Sequence, residues 1–391
     1  MKLIELHIIQ SFPVSCLNRD EVGSPKTAIF GGIPRARISS QCLKRAIRLC
    51  ARELQPDMFA AERTKLFIAP LAQRLRDRKI DEDRALELSR AVGKHLATLD
   101  EKAAKKGVEK VKTLMFLSPA ELDEIAEKLA ADDGGDISKQ VTAACKKAAL
   151  KDGADVAIFG RMVASDHSLT VEAAGMFAHA LTTHRAENDI DFFSAVDDRR
   201  DDRRAEDRTL SEEEEAGAGM IGTLEFASGA FYRYAALNLD LLFYQANDNG
   251  QLPANLQCLA DADKQAERRK LVETFVRATV MAVPNARKNS MNANTLPAYV
   301  LGVVKDSGQP IQLVNAFEAG VRAKNGLIEP SVAAELLHLH RMKTIFNVEH
   351  ALEIATGIHK PEANGAGLTK EMVPKHVDLN TFCAEISKHV E

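Results

Sequence analysis

LIELHIIQ, residues 3–10, alternates in character: Ile4, Leu6 and Ile8 share one face, and Glu5 and His7 share the other. A period of two marks a β-strand with one buried face, so the chain is read as opening on a half-buried strand. Residues 11–38 carry Pro13, Gly23, Pro25, Gly31, Gly32 and Pro34 and read as a long loop. After Ser39–Ser40, the apolar positions Cys42, Leu43, Ala46, Ile47 and Cys50 recur at helical spacing. This predicts a helix to about Glu53 with a serine N-cap.

Residues 57–150 are rich in Ala, Lys, Glu, Leu and Arg, with amphipathic helices predicted around 82–99 and 119–131 and a break at Asp132–Gly135. Strand texture returns at 155–159 (DVAIF), 221–227, 230–239 and 298–304. A helix is predicted over 264–282, with Leu271, Val272, Phe275, Val276 and Thr279 on one face. The last 60 residues read as further helices with a glycine-rich break at Asn364–Gly367. Strand and helix, a helical insertion, then strands around another helix describe an α+β chain with a ferredoxin-like core and large insertions.

The chain has 391 residues, 45 % hydrophobic and 28 % charged, enough for two or three domains. The opening MKLIELHIIQ does not read as a signal peptide, and no run approaches the roughly 20 apolar residues that span a bilayer. A soluble cytoplasmic protein is expected, with no membrane partner. Cys16, Cys42, Cys50, Cys145, Cys258 and Cys383 include no C-x-x-C pair, which excludes a zinc ribbon or dithiol motif and suits a reducing compartment. Cys42 and Cys50 read as core residues of the first helix. No Walker A, G-x-S-x-G or H-E-x-x-H motif occurs, and His179 and His184 lack a third ligand at matching spacing.

The formal charge is −4, which by itself points mildly away from nucleic acid, and the absence of Trp argues against binding built on stacking. The charge is uneven, however. Residues 1–52 hold nine basic and three acidic side chains, a net of +6, whereas residues 196–220 hold five Arg and ten acids, a net of −5. Lys44, Arg48 and Arg52 recur at i, i+4 and i+8, and Gln41 precedes Lys44 by three, so all four line one side of the predicted helix. Upstream, Gly31–Gly32 permits a close backbone approach and Arg35 and Arg37 alternate on one side. The hydroxyls and first amides at Ser39–Ser40 can hold a phosphate oxygen. A basic stripe alone is more often a solvated face. The convergence of these features in one window points instead to a phosphate backbone.

The same residues carry a family resemblance. CLNRD (16–20), AIFGG (28–32), RISSQCLKRAIR (37–48), GADVAIFGRMVAS (153–165), HALTTHRAENDIDFFSAVDD (179–198), GTLEFASGAFYRYAALNLDLL (222–242) and VPNARKNS (283–290) resemble the backbone subunit of type I-E CRISPR Cascade, the CasC family. Residues 330–391 lie outside the resemblance. It implies a palm resembling an RNA-recognition motif, helical fingers and a thumb hairpin. Palm would be 1–55, 153–189 and 223–330, fingers 56–152 and thumb 190–222 with an acidic tip, leaving 331–391 as a C-terminal helical extension.

The resemblance also implies a non-enzymatic protein that polymerises along a CRISPR guide RNA and leaves its bases free to pair with a target DNA strand. Partners would be guide RNA, target DNA, further copies of the chain and other Cascade subunits. These are the guide 5′-end cap subunit, the large subunit, the small subunits and the guide-processing endonuclease. Arg19, Lys26, Arg37, Gln41, Lys44, Arg45 and Arg48 fall in guide-binding blocks; Arg35, Ser39, Ser40, Arg161, Arg287 and Lys288 are expected to join them, and Met162 to approach a guide kink. Ile33–Pro34 departs from the family where relatives often carry a basic residue, and the thumb is longer and more acidic. No cofactor or metal is expected. The alternative is a metal-dependent endoribonuclease using Asp20, as in type III relatives; a third reading is a monomeric regulator with an RNA-recognition-like fold.

Overall fold

The first strand, β1 (Leu3–Ser15), runs between two antiparallel neighbours and is covered on both faces. The computed structural model describes residues 1–132, 135–147, 153–163, 170–196, 218–244, 255–256, 259, 262–363 and 365–390. After β1 come β2 (Thr27–Phe30), β3 (Ile33–Ile38) and α1 (Ser40–Leu54). Next are β4 (Glu62–Thr64), α2 (Ile68–Asp77), α3 (Glu82–Leu96), α4 (Glu101–Ala104), β5 (Met115–Leu117), α5 (Pro119–Ala130) and α6 (Ile137–Lys147). Then follow α7 (Ala154–Phe159), β6 (Gly175–Phe177), β7 (Ala180–Thr182), β8 (Asp189–Val196) and β9 (Ala218–Asn238). The chain closes with α8 (Gln265–Met281), β10 (Tyr299–Lys305), α9 (Ile328–Phe346), β11 (Leu352–Thr356), β12 (Lys375–His376) and α10 (Leu379–Ser387).

Among the described residues ten strands form one mixed sheet, in the order β12-β11-β10-β1-β9-β7-β3-β2, with β6 and β8 also pairing with β9. The protein is thus mixed α+β. One sheet face packs on α1, α7, α8 and α10 around Ile4, Leu6, Ile8, Leu43, Ile47, Val272 and Phe275. α2, α3, α5 and α6 gather a second core around Phe67, Leu71, Leu88 and Ile125. β5 joins the two cores by alternation: Met115 and Leu117 enter the helical core, and Phe116 enters the sheet core.

Five local expectations are corrected. Residues 11–38, read as a long loop, carry the end of β1 and the β2–β3 hairpin, which joins the sheet through pairing of β3 with β7. Glu5 and His7 do not face water; each is 1 % exposed, because α9 and the turn before it cover that side of β1. Their polar atoms are satisfied inside: Glu5 pairs with Lys305 at 2.5 Å and accepts from the Tyr234 hydroxyl at 2.7 Å, while His7 Nδ1 meets the Tyr232 hydroxyl at 2.9 Å. DVAIF, read as a strand, is the helix α7, whose six residues are all buried, so its apolar run carries no period to separate strand from helix. The stretches 221–227 and 230–239 belong to one strand, β9. The C-terminal segment, expected to be helical, adds β11 and β12 to the sheet. α10 packs so closely on β10 that a Cβ at Gly302 would lie 2.6 Å from Ile386. Most of the acidic run (197–217), together with Cys258 and Asn364, lies outside the described residues.

Candidate nucleic-acid interface

β3 delivers the chain to α1, whose start is fixed by side chains. Ser39 is the N-cap, its Oγ accepting from the Cys42 amide at 3.3 Å, and the Ser39 amide itself donates to Asn18 Oδ1 at 2.8 Å. The Ser40 amide donates to His179 Nδ1 at 3.2 Å. These first-turn amides, expected to hold phosphate, are therefore occupied by the protein. Leu43, Ile47 and Ala51 anchor the helix in the sheet core, which turns Gln41, Lys44, Arg45 and Arg48 outward.

The outward row rests on aromatic rings. Lys44 Nζ lies 5.3 Å from the Phe177 ring centre, and the Arg48 guanidinium lies 5.0 Å from that of Phe116. From the opposite strand pair, Arg63 approaches the same Phe116 ring at 5.4 Å. Cation–π contacts of this kind hold long side chains in place for roughly 0.5–1 kcal/mol each at exposed sites. Among the described residues none of the three makes an ion pair. Burial, and then the charge of Arg63, pushes Lys44 and Arg48 below their ordinary pKa values; Asp155 acts on Arg48 in the opposite sense. Like charges held together without counterions form a ready site for an anion.

On the other flank of α1, a cleft of about 900 Å³ is lined by Arg19, Arg45 and Lys288 together with Asp20, Glu21 and Asn285. Asp20 is engaged within its own loop, Oδ1 accepting from the Val22 amide at 3.0 Å and the Ser24 amide at 2.9 Å. Arg37 spans the junction: its Nε donates to the Thr27 carbonyl at 3.1 Å, and Nη1 stands 3.5 Å from His179 Nδ1. Burial and then the charges of Arg37 and Lys26 push His179 below its usual pKa, consistent with an Nδ1 lone pair that accepts from Ser40.

The profile of the CT1975-like protein family matches residues 4–382. The chain belongs to this family. The CT1975-like chain is also similar to a solved chain titled "CRISPR RNA-guided surveillance complex, pre-nicking". The two are 28 % identical with a TM-score of 0.75, over 98 % of this chain and 100 % of that one. A chain titled "CRISPR RNA-guided surveillance complex" shares the fold at 24 % identity and a TM-score of 0.66, over 98 % of this chain and 99 % of that one. No curated protein matches the sequence.

In this CT1975-like protein the residues expected to bind RNA separate into groups. Arg19, Arg45 and Lys288 meet in the cleft; Gln41, Lys44 and Arg48 form the outward row. Lys26 and Arg287 are half-buried nearby, Arg287 in a left-handed turn at φ 50°. Met162, expected to approach a guide kink, is 81 % exposed.

Two arginines leave the set. Arg35 is fully buried and donates to the carbonyls of Thr182, Phe317 and Glu318 at 3.1, 2.7 and 3.0 Å. Arg161 is paired internally with Glu121. Their residue type signalled charge on a surface, and the fold uses their forked donors to satisfy buried acceptors. Sequence reading missed Arg63, which comes from the helical segment, and His179, which spacing paired only with His184. His184 instead donates through Nδ1 to the Arg185 carbonyl at 2.6 Å and accepts from the Ala230 amide at 3.2 Å.

Proposed function

We propose that this protein is a guide-RNA-binding subunit of a CRISPR surveillance complex, the non-catalytic backbone of a type I-E Cascade. The observation that carries the reading is the pair Lys44 and Arg48 on the outward side of α1, both braced on aromatic rings and, among the described residues, lacking carboxylate partners. Such a row neutralises phosphates without reading bases, which suits a guide of any sequence. The family membership and the likeness to chains of CRISPR RNA-guided surveillance complexes support the same assignment. In this reading the large sheet and its helices form an RNA-recognition-like palm, the second core forms the fingers, and the β8–β9 ribbon is the thumb. Copies of the chain line up along the guide in the cytoplasm with the other Cascade subunits, and the guide's bases pair with target DNA. Asp20 serves its loop rather than a metal-dependent cleavage.

The test is the double variant Lys44→Glu/Arg48→Glu, co-expressed with a CRISPR RNA. It is expected to fold and to lose guide-dependent assembly. Co-purification with guide at wild-type stoichiometry would refute the assignment. Binding of the wild type should also weaken steeply with salt.

A further inference from the structure

Arg52, the third member of the i, i+4, i+8 series, does not continue the row. Its guanidinium turns to the chain leaving the helix, Nη2 donating to the Ala60 carbonyl at 2.9 Å and to Glu62 Oε1 at 3.2 Å, and Nε to the Phe59 carbonyl at 3.3 Å. The same segment is gripped from its other side by Asp155 of α7, 0 % exposed, whose Oδ2 accepts from the Ala61 amide at 3.0 Å. Two residues on, Arg63 stands directly opposite Phe116 in the β4–β5 pair, and the Phe116 ring is the one Arg48 also covers. The Phe116 carbonyl accepts from Arg161 at 3.1 Å, which fixes the platform itself.

We infer that Arg63 is a further guide-phosphate-binding residue, standing where Arg52 would have continued the row, and that Arg52 and Asp155 are positioning residues that hold it there. The inference rests on the guide-binding reading above and extends it. Arg63 is exposed, free of ion pairs among the described residues, and belongs to the segment that leads into the second core. Guide contact thereby bridges the helix of one core and the first strand beside the other.

The experiment measures binding of a fluorescein-labelled guide RNA to the full-length chain across a salt series. Arg63→Gln should lower affinity about fivefold and shrink the log–log salt slope by about 0.7, the value for one phosphate on a single strand. The melting temperature should stay unchanged, and Arg63→Lys should restore the slope. Arg52→Gln and Asp155→Asn should each weaken binding when Arg63 is present and have no further effect in the Arg63→Gln background. A purely structural role would add independently instead. Wild-type affinity and slope in Arg63→Gln, alongside loss of binding in Lys44→Glu/Arg48→Glu, would overturn this inference and leave the guide-binding reading standing. Retained binding in that double variant would overturn the guide-binding reading itself.

Discussion

Arg161 and Glu121 form an ion pair, 2.7 Å between Nη1 and Oε1, with side chains only 3 % and 4 % exposed. It ties the segment after α7 to α5, and Glu121 also closes the capping box of α5, its Oε2 accepting from the Ser118 amide at 2.9 Å. Removing one partner leaves the other charge buried and unpaired, which costs about 3–5 kcal/mol. Arg161→Ala should therefore lower stability in urea by that order, whereas a surface RNA contact would leave the unfolding midpoint in place.

Gly31 and Gly32 are adjacent and both left-handed, at φ 59° and 71°, yet they should respond differently to alanine. A Cβ at Gly31 would lie 2.1 Å from the Glu318 carbonyl oxygen, and at Gly32 it would meet nothing within 4 Å among the described residues. Gly32→Ala is expected to cost about 1 kcal/mol for the backbone alone. Gly31→Ala must displace the turn that also receives Arg35 and should cost several times more. Equal thermal shifts in the two variants would show that this turn yields freely.

Glu335 on α9 is 0 % exposed, and among the described residues neither carboxylate oxygen has a hydrogen-bond partner. Burial pushes its pKa up to about 8. Below pH 4.5 folded and unfolded chains are both protonated there and the group is neutral in effect. As pH rises from 4.5 toward 8 the unfolded chain releases the proton first, so stability falls across that window. Glu335→Gln should remove this slope and stabilise the protein at pH 8 by on the order of 1–3 kcal/mol, with little change at pH 4. A constant difference between the two proteins from pH 4 to pH 8 would count against a protonated Glu335.

His179 Nδ1 is the acceptor for the first-turn amide of Ser40. His179→Ala should cost about 1 kcal/mol, the usual loss for an N-terminal capping partner. Denaturation that shows no loss would mean that solvent satisfies that amide equally well.

Some of this molecule was legible from local pattern. The helix at Ser40–Leu54 and its Ser39 cap followed from a serine ahead of apolar residues at helical spacing. α8 followed from the helical period of its apolar residues, and β10 from a short, continuous apolar run. α7 was not legible: with all its residues buried, burial erases the contrast on which periodicity depends. β11 and β12 were hidden for a related reason, being short strands whose partners lie elsewhere in the chain.

The sequence by itself determined that positive charge concentrates in the first 52 residues and that α1 presents Lys44 and Arg48 on one side. Both are matters of composition and helical period. Only the tertiary structure decided which arginines remain at the surface. Arg35 and Arg161 are drawn inward because their guanidinium donors meet carbonyls and carboxylates supplied by distant segments, and Arg52 leaves the row by turning to the chain that follows its own helix. Arg63 joins Arg48 because strand pairing sets it opposite Phe116, more than fifty residues further along the chain. A residue's charge is local, whereas its partner and its exposure depend on what the rest of the chain packs around it.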